Sequence, residues 1–193
     1  MRIVAGKLGG RRLHTPKTDA VRPTAGKVRE ALFAILAPQI IGAGVVDLCA
    51  GTGAIGIEAL SRGAAWVEFV ERSPSVIAVL RHNLERLRPE QPARVIAMDA
   101  MRYLKTRSAT APLADVVFVD PPYASGVLKK VLPLLGQGAM MRPGGLVIVE
   151  HFHKDDPPSS IGGLVRERSC RYGDSVLTFF RFTPPTTDHT HGD

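Results

Sequence analysis

The sequence is poor in cysteine and aromatics: among 193 residues stand Cys49, Cys170, one tryptophan and 6% aromatic residues in all. Two distant thiols cannot staple a scaffold, which excludes a disulfide-rich secreted domain and suits a reducing compartment. No apolar run approaches the roughly 20 residues of a membrane-spanning helix, and residues 1–10 lack the apolar stretch of a signal peptide. A cytoplasmic protein with no membrane contact is expected. Internal repeats and low-complexity tracts are also missing, and only the polar end, residues 184–193, reads as a mobile tail. What is present is an ordinary globular composition, 45% hydrophobic. The chain is long enough to bury about 70% of its unfolded surface in one core.

The charge is unevenly placed. Residues 1–30 hold eight Lys and Arg against two Asp and Glu, whereas the rest of the chain is close to balanced within a formal net charge of +7. Basic residues concentrated in one segment are the footprint of a nucleic-acid partner, because phosphate contacts release counterions and dominate affinity. A solvated surface segment is the plainer alternative.

Two periodicities alternate along the chain. Met1 to Leu13 alternates around Gly9-Gly10 and reads as a β-hairpin displaying its basic residues, an arm outside the core. Thr24 can N-cap a helix whose apolar face runs from Val28 to Leu36 before Pro38 stops it. Then come strands at Val45–Leu48, Trp66–Val70, Arg94–Met98, Asp115–Val119 and Leu146–Glu150, the last following the turn Pro143-Gly144-Gly145. Helices at Ala54–Arg62, Pro74–Leu87, Met101–Lys105 and Leu128–Leu135 separate them. Repeated βα units predict an α/β fold with a single doubly wound, mostly parallel Rossmann-like sheet. Leu164–Arg171 and Ser175–Phe182 meet across Gly173-Asp174, too short for a crossover, so that C-terminal pair is expected to be antiparallel.

Asp47-Leu-Cys-Ala-Gly51-Thr-Gly53-Ala-Ile-Gly56 lies between a strand and a helix and matches G-x-G-x-x-G, a turn that lets a ligand approach the backbone. The pattern alone fits NAD, and a purely structural turn is possible. Its context separates the readings. Glu71 ends the second strand, where a carboxylate can take ribose hydroxyls, and Asp99 ends the third, within reach of an adenine amine. Together with Asp47 they form a negative pocket that repels a pyrophosphate and tolerates a sulfonium and an ammonium group. Charge complementarity therefore favours S-adenosylmethionine over NAD. Ala50, Gly51, Thr52 and Gly53 of the loop, Arg72 after Glu71 and Ala100 after Asp99 complete the expected cofactor contacts.

The fourth strand ends in Val119-Asp120-Pro121-Pro122-Tyr123, which resembles the Asp-Pro-Pro-Tyr signature of class I methyltransferases acting on exocyclic amino nitrogens. Such an amine is a weak nucleophile because its lone pair is delocalised into the ring. The Asp120 carboxylate and the Pro121 carbonyl can accept its two hydrogens and aim the lone pair at a methyl group. Pro121 and Pro122 stiffen the loop without adding N–H donors, and Tyr123 can stack on an extruded base. The bland alternative is a rigid turn with a satisfied Asp.

The order of basic hairpin, Arg22-Pro-Thr24, Arg29-Glu30, Asp47-Leu-Cys-Ala-Gly-Thr-Gly53, Gly56-Ile-Glu58-Ala-Leu60-Ser-Arg62-Gly63 and Asp120-Pro-Pro-Tyr123 resembles the bacterial RsmD family over residues 1–182. That resemblance implies S-adenosylmethionine as cofactor and methylation of guanine N2, of the 966 type, in 16S rRNA or the small ribosomal subunit. It also implies that Arg22 and Thr24 lie on the cofactor side and that Arg2, Lys7, Arg11, Arg12 and Lys17 of the hairpin bind RNA. The expected organisation is a basic arm at 1–20, a methyltransferase domain at 21–183 and the tail at 184–193, with a monomer as the expected state. An adenine-N6 methyltransferase also carries Asp-Pro-Pro-Tyr. A noncatalytic rRNA-binding assembly factor, a glutamine methyltransferase and a nicotinamide oxidoreductase are the remaining alternatives.

Several features read as structural. His151-x-His153 and His189-x-His191 lack further ligands at suitable spacing, so no metal is expected. Trp66 and Phe69 fit the core, Cys49 a packing role, and Lys129, Lys130 and Arg142 ordinary surface charge.

Overall fold

The computed structural model describes residues 1–15, 26–122, 125–138 and 140–184. Lys17, Arg22, Thr24 and Tyr123, each expected in a site, lie outside these residues, as does 185–193. Helix α1 (Gly26–Ile40) leads into β1 (Gly44–Leu48), α2 (Ala54–Ser61), β2 (Trp66–Glu71), α3 (Pro74–Leu87) and β3 (Ala93–Ala97). Next come α4 (Ala100–Thr106), β4 (Ala114–Val119), α5 (Val127–Gly136), β5 (Met141–Phe152), β6 (Ser160–Ile161), β7 (Leu164–Tyr172) and β8 (Ser175–Phe182).

The strands form one eight-stranded sheet in the order β3-β2-β1-β4-β5-β8-β7-β6. Pairing is parallel from β3 to β5 and antiparallel from β5 to β6. β1 and β4 are buried along almost their whole length. That is why they read as unbroken Val-rich runs, since helices cover both faces of a parallel sheet. Phe69, Phe118, Ile148 and Phe179 belong to the core shared with α1, α2 and α3. Val70, Val117, Val147 and Phe180 belong to the core on the opposite face. The chain leaves β1 toward β2 and β3, then returns to β4 on the other side of β1. A doubly wound sheet binds ligands at such a reversal.

The hairpin differs from its expectation in two ways. Ile3 and Leu13 are buried in the main core, so it is fastened to the domain rather than displayed as a free arm. Its reversal is also wider than Gly9-Gly10: the Ile3 N–H donates to Arg11 O and the Gly10 N–H to Ile3 O, leaving 4–9 as the loop. Four of the loop's backbone donors are engaged by α2. Val4 and Ala5 N–H donate to the Glu58 carboxylate, Lys7 N–H to Ser61 O and Leu8 N–H to Ser61 Oγ.

Two boundaries also moved. Pro38 does not stop α1, which continues to Ile40. Near a helix end a proline sacrifices one N–H bond, and burial of Leu36 and Ile40 holds the last turn across it. β5 begins at Met141 opposite Ala114 and resumes pairing at Leu146 opposite Val116, so Pro143-Gly144-Gly145 forms an outward bulge inside the strand. β6, two residues long, carried no periodic signal.

Candidate active site

A cleft of about 650 Å³ opens at the carboxyl edge of the sheet, within the roughly 300–1,000 Å³ range of small-molecule sites. The ends of β1, β2 and β3 form one half, and the ends of β4 and β5 with the β7–β8 turn form the other.

The first half is built around the glycine loop. Asp47 is buried, and its Oδ2 accepts the Gly56 N–H at 3.0 Å, which pins the start of α2 to β1. Burial pushes the Asp47 carboxyl up to about 7, against the Gly56 hydrogen bond and with help from the Glu71 charge. Gly53 has φ 82°, and a Cβ there would meet Leu80 Cδ1 at 2.3 Å. At Gly56 a Cβ would come within 2.3 Å of the Phe69 ring, so this glycine lets α2 lie on β2. The first two glycines of the motif thus shape the turn, and the third serves helix packing.

Glu71 is held by three backbone donors: Gly51 N–H on Oε2 at 3.0 Å, and Arg72 and Ser73 N–H on Oε1 at 2.9 Å each. A carboxylate offers about four lone-pair sites, so Oε2 retains capacity for a ligand hydroxyl. Asp99 caps α4 by accepting Met101 and Arg102 N–H on Oδ1, which leaves Oδ2 outside the cap. Ala50, Thr52, Arg72 and Ala100 line the cleft with them. Cys49, at φ 62°, stands among these acids. Burial, then the charges of Glu71, Asp120, Asp47 and Asp99, push its thiol up to about 12. The thiol is protonated and a poor nucleophile, and the carboxylates around it make this part of the cleft negative.

In the second half Asp120 is half-buried, Pro121 buried and Pro122 exposed, all three lining the cleft. The Asp120 N–H reaches Leu48 O at 3.4 Å, which carries the ladder between β4 and β1 one residue past the strand end. Glu150, Tyr172, Asp174 and Ser175 form the far wall, and Met1 and Val28 close the cleft from the hairpin and α1. The structure therefore brings Asp47, Glu71, Asp99, Asp120 and Pro121 to one cleft.

The hairpin cations are placed separately. Lys7 Nζ lies 2.6 Å from Glu90, Arg11 donates to the carbonyls of Arg86 and Leu87 at the end of α3, and Arg2 donates to Gly10 O. Arg12 is exposed, and its carbonyl accepts a hydrogen bond from Arg86. His151 is buried with Nε2 2.8 Å from Thr178 Oγ1. Among the described residues no three of His, Cys, Asp and Glu converge as a metal site, and no helix is long and apolar enough to cross a membrane.

Sequence reasoning missed Asn83, Glu58 and Glu150. Asn83 is fully buried in α3; its Nδ2 donates to Thr52 O in the glycine loop and to His14 O, and its Oδ1 accepts His14 N–H. It ties the exit of the hairpin to the glycine loop. The signal was available: Asn83 falls in register with Ile77, Leu80 and Leu87 on the apolar face. A polar residue at a core position is there for its hydrogen bonds.

The family model described as Conserved hypothetical protein 95 matches residues 1–181. Ribosomal RNA small subunit methyltransferase D of Escherichia coli is 39% identical over 150 residues, covering 78% of this chain and 74% of that one. The candidate rRNA methyltransferase YlbH of Bacillus subtilis is 35% identical over 181 residues, 94% of this chain and 98% of its own. The solved structure of the candidate methyltransferase yhhF from Escherichia coli has a TM-score of 0.84 at 34% identity, covering 95% of this chain and 98% of that one.

Proposed function

We infer, from the premise that this chain belongs to the RsmD family of methyltransferases, that it transfers a methyl group from S-adenosylmethionine to N2 of a guanine, of the 966 type, in 16S rRNA. The observation that carries this reading is the cleft itself, which joins a negative, loop-bound half to the Asp120-Pro121-Pro122 edge.

The donor set fits the cofactor. Glu71 Oε2 would take a ribose hydroxyl and Asp99 Oδ2 the adenine amine, with Arg72 and Ala100 at the adenine edge. Ala50 to Gly53 would lie under the chain of the ligand, and Arg22 and Thr24 would close that side. The negative field around Cys49 suits a cation. When bound, S-adenosylmethionine supplies an electrophilic methyl on a sulfonium.

The protein's part is orientation. The Asp120 carboxylate and Pro121 carbonyl accept the two N2 hydrogens, localise the lone pair and point it across the cleft; Pro122 keeps the loop stiff and Tyr123 stacks on the base. The amine attacks while neutral and becomes acidic once alkylated, so its proton leaves after the carbon–nitrogen bond forms. No covalent enzyme intermediate is involved.

The test is transfer of labelled methyl to small ribosomal subunits from cells lacking this protein, followed by nucleoside analysis. N2-methylguanosine in 16S rRNA is expected. Label in adenosine would favour the adenine-N6 reading, and label in protein would overturn the RNA substrate.

Arg2, Lys7, Arg11, Arg12 and Lys17 are the proposed RNA-binding residues. Their surroundings separate two kinds of effect. Arg12→Ala, which removes an exposed charge, should weaken RNA binding and lower the salt slope by about one phosphate contact. Arg11→Ala also removes the link to α3, so it should loosen the hairpin as well. An Arg12 variant whose binding curves at several salt concentrations match the parent's would remove Arg12 from the interface.

A further inference from the structure

We propose that Glu150 selects guanine at the reacting edge by accepting the hydrogen on ring N1 while Asp120 and Pro121 take the two hydrogens on N2. This rests on the guanine-N2 reading above and names the group that would enforce it.

The sheet register places the residue. β4 and β5 are parallel with Val119 opposite Val149, so the next residues, Asp120 and Glu150, stand side by side at neighbouring strand ends. Adjacent strands lie about 4.8 Å apart, and side chains alternate between faces. Phe118 and Ile148, two residues earlier, share one face and one core, so Asp120 and Glu150 share it too. Both line the cleft, and Glu150 is only 5% exposed. Asp174, the other acid on this wall, has a side chain 67% exposed and 3.8 Å from His153 Nδ1.

The chemistry identifies the partner. Two acceptor side chains on neighbouring strand ends complement a ligand edge that carries several hydrogen-bond donors. Guanine presents three donor hydrogens on one edge, N1–H and the N2 amine, which is more than any other standard base offers there. Adenine also has an amine beside ring N1, but its N1 is a bare acceptor, and a carboxylate would face a lone pair. A site built around a donor rejects an analogue that lacks it far more strongly than shape alone allows. Asp120 and Pro121 can orient either purine amine, so discrimination between them falls to the neighbouring acceptor.

Small subunits reconstituted with 2-aminopurine in place of the target guanine test this directly. 2-Aminopurine keeps the exocyclic amine at position 2 and turns N1 into an acceptor. The parent enzyme should methylate it about 100-fold or more slowly than guanine. Glu150→Gln should lose about 10- to 100-fold on guanine, while its amide can turn an N–H toward the bare N1. The ratio between the substrates should therefore narrow at least tenfold, with cofactor affinity unchanged. Equal losses on both substrates, leaving the ratio fixed, would overturn the assignment. So would a parent enzyme that methylates both alike, a result that needs no variant. Failure of the guanine-N2 reading looks different: no N2-methylguanosine forms on the guanine-bearing subunits at all.

Discussion

Asp120→Ala should slow methyl transfer by about 10²- to 10³-fold, the usual loss when one preorganised polar partner is removed from a reacting group, with the effect in kcat rather than in cofactor affinity. The separation follows from placement. The cofactor half rests on Glu71, Asp99 and the loop between β1 and α2, whereas Asp120 belongs to the opposite half. Its backbone remains in place without the side chain, because the Asp120 N–H bonds to Leu48 O and Pro121 and Pro122 restrict the following turn. The Pro121 carbonyl would then hold the amine by a single hydrogen, and the lone pair would lose its aim. Asp120→Asn keeps an acceptor but not a charge-assisted one, about half as strong, so a loss nearer tenfold is expected. Single-turnover transfer to saturating subunits measures both. An Asp120→Ala enzyme within threefold of the parent would remove the carboxylate from the mechanism.

What was legible in the sequence was whatever local pattern determines. β1 and β4 are apolar runs because helices bury them on both faces, and the glycine loop shows itself by spacing. Glu71, Asp99 and Asp120 were found because a doubly wound sheet places strand-end residues at the ligand edge. What was missed depends on partners distant in the chain. Nothing near Val4 announces that its N–H will meet Glu58, 54 residues away, so a docked hairpin read as a free arm. Glu150 passed as the polar end of the run Leu146-Val-Ile-Val, since its meaning lies in standing beside Asp120. Pro38 was given its usual weight as a helix breaker, and burial of Leu36 and Ile40 outweighed it.

One buried carboxylate anchors the start of the hairpin loop to α2, and Glu58→Ala should destabilise the fold by about 3–5 kcal/mol, the range for breaking a buried ion pair from one side. Glu58 is fully buried; its oxygens accept Val4 N–H at 2.7 Å, Ala5 N–H at 3.0 Å and Arg62 Nε at 2.7 Å. Arg29 Nε lies 3.8 Å away and is itself only 2% exposed. Burial pulls the Arg29 guanidinium below its usual range and the Glu58 charge pushes it back. Removing the acid therefore strands a buried cation and two amide donors together. In a chain of this size the melting temperature should fall on the order of 10 °C. Arg29 also donates to Arg2 O and touches the Met1 sulfur, so the damage should reach the cleft wall that Met1 forms. Brief trypsin digestion should accordingly cut after Lys7 or Arg11 in the variant before it cuts the domain. Glu58→Gln, which keeps the shape and one acceptor but leaves Arg29 without its counter-charge, should fall between. A Glu58→Ala protein that melts within about 2 °C of the parent, with the hairpin still resistant to trypsin, would mean that Ile3 and Leu13 in the core and the bonds to Ser61, Asn83 and the end of α3 hold the hairpin without Glu58.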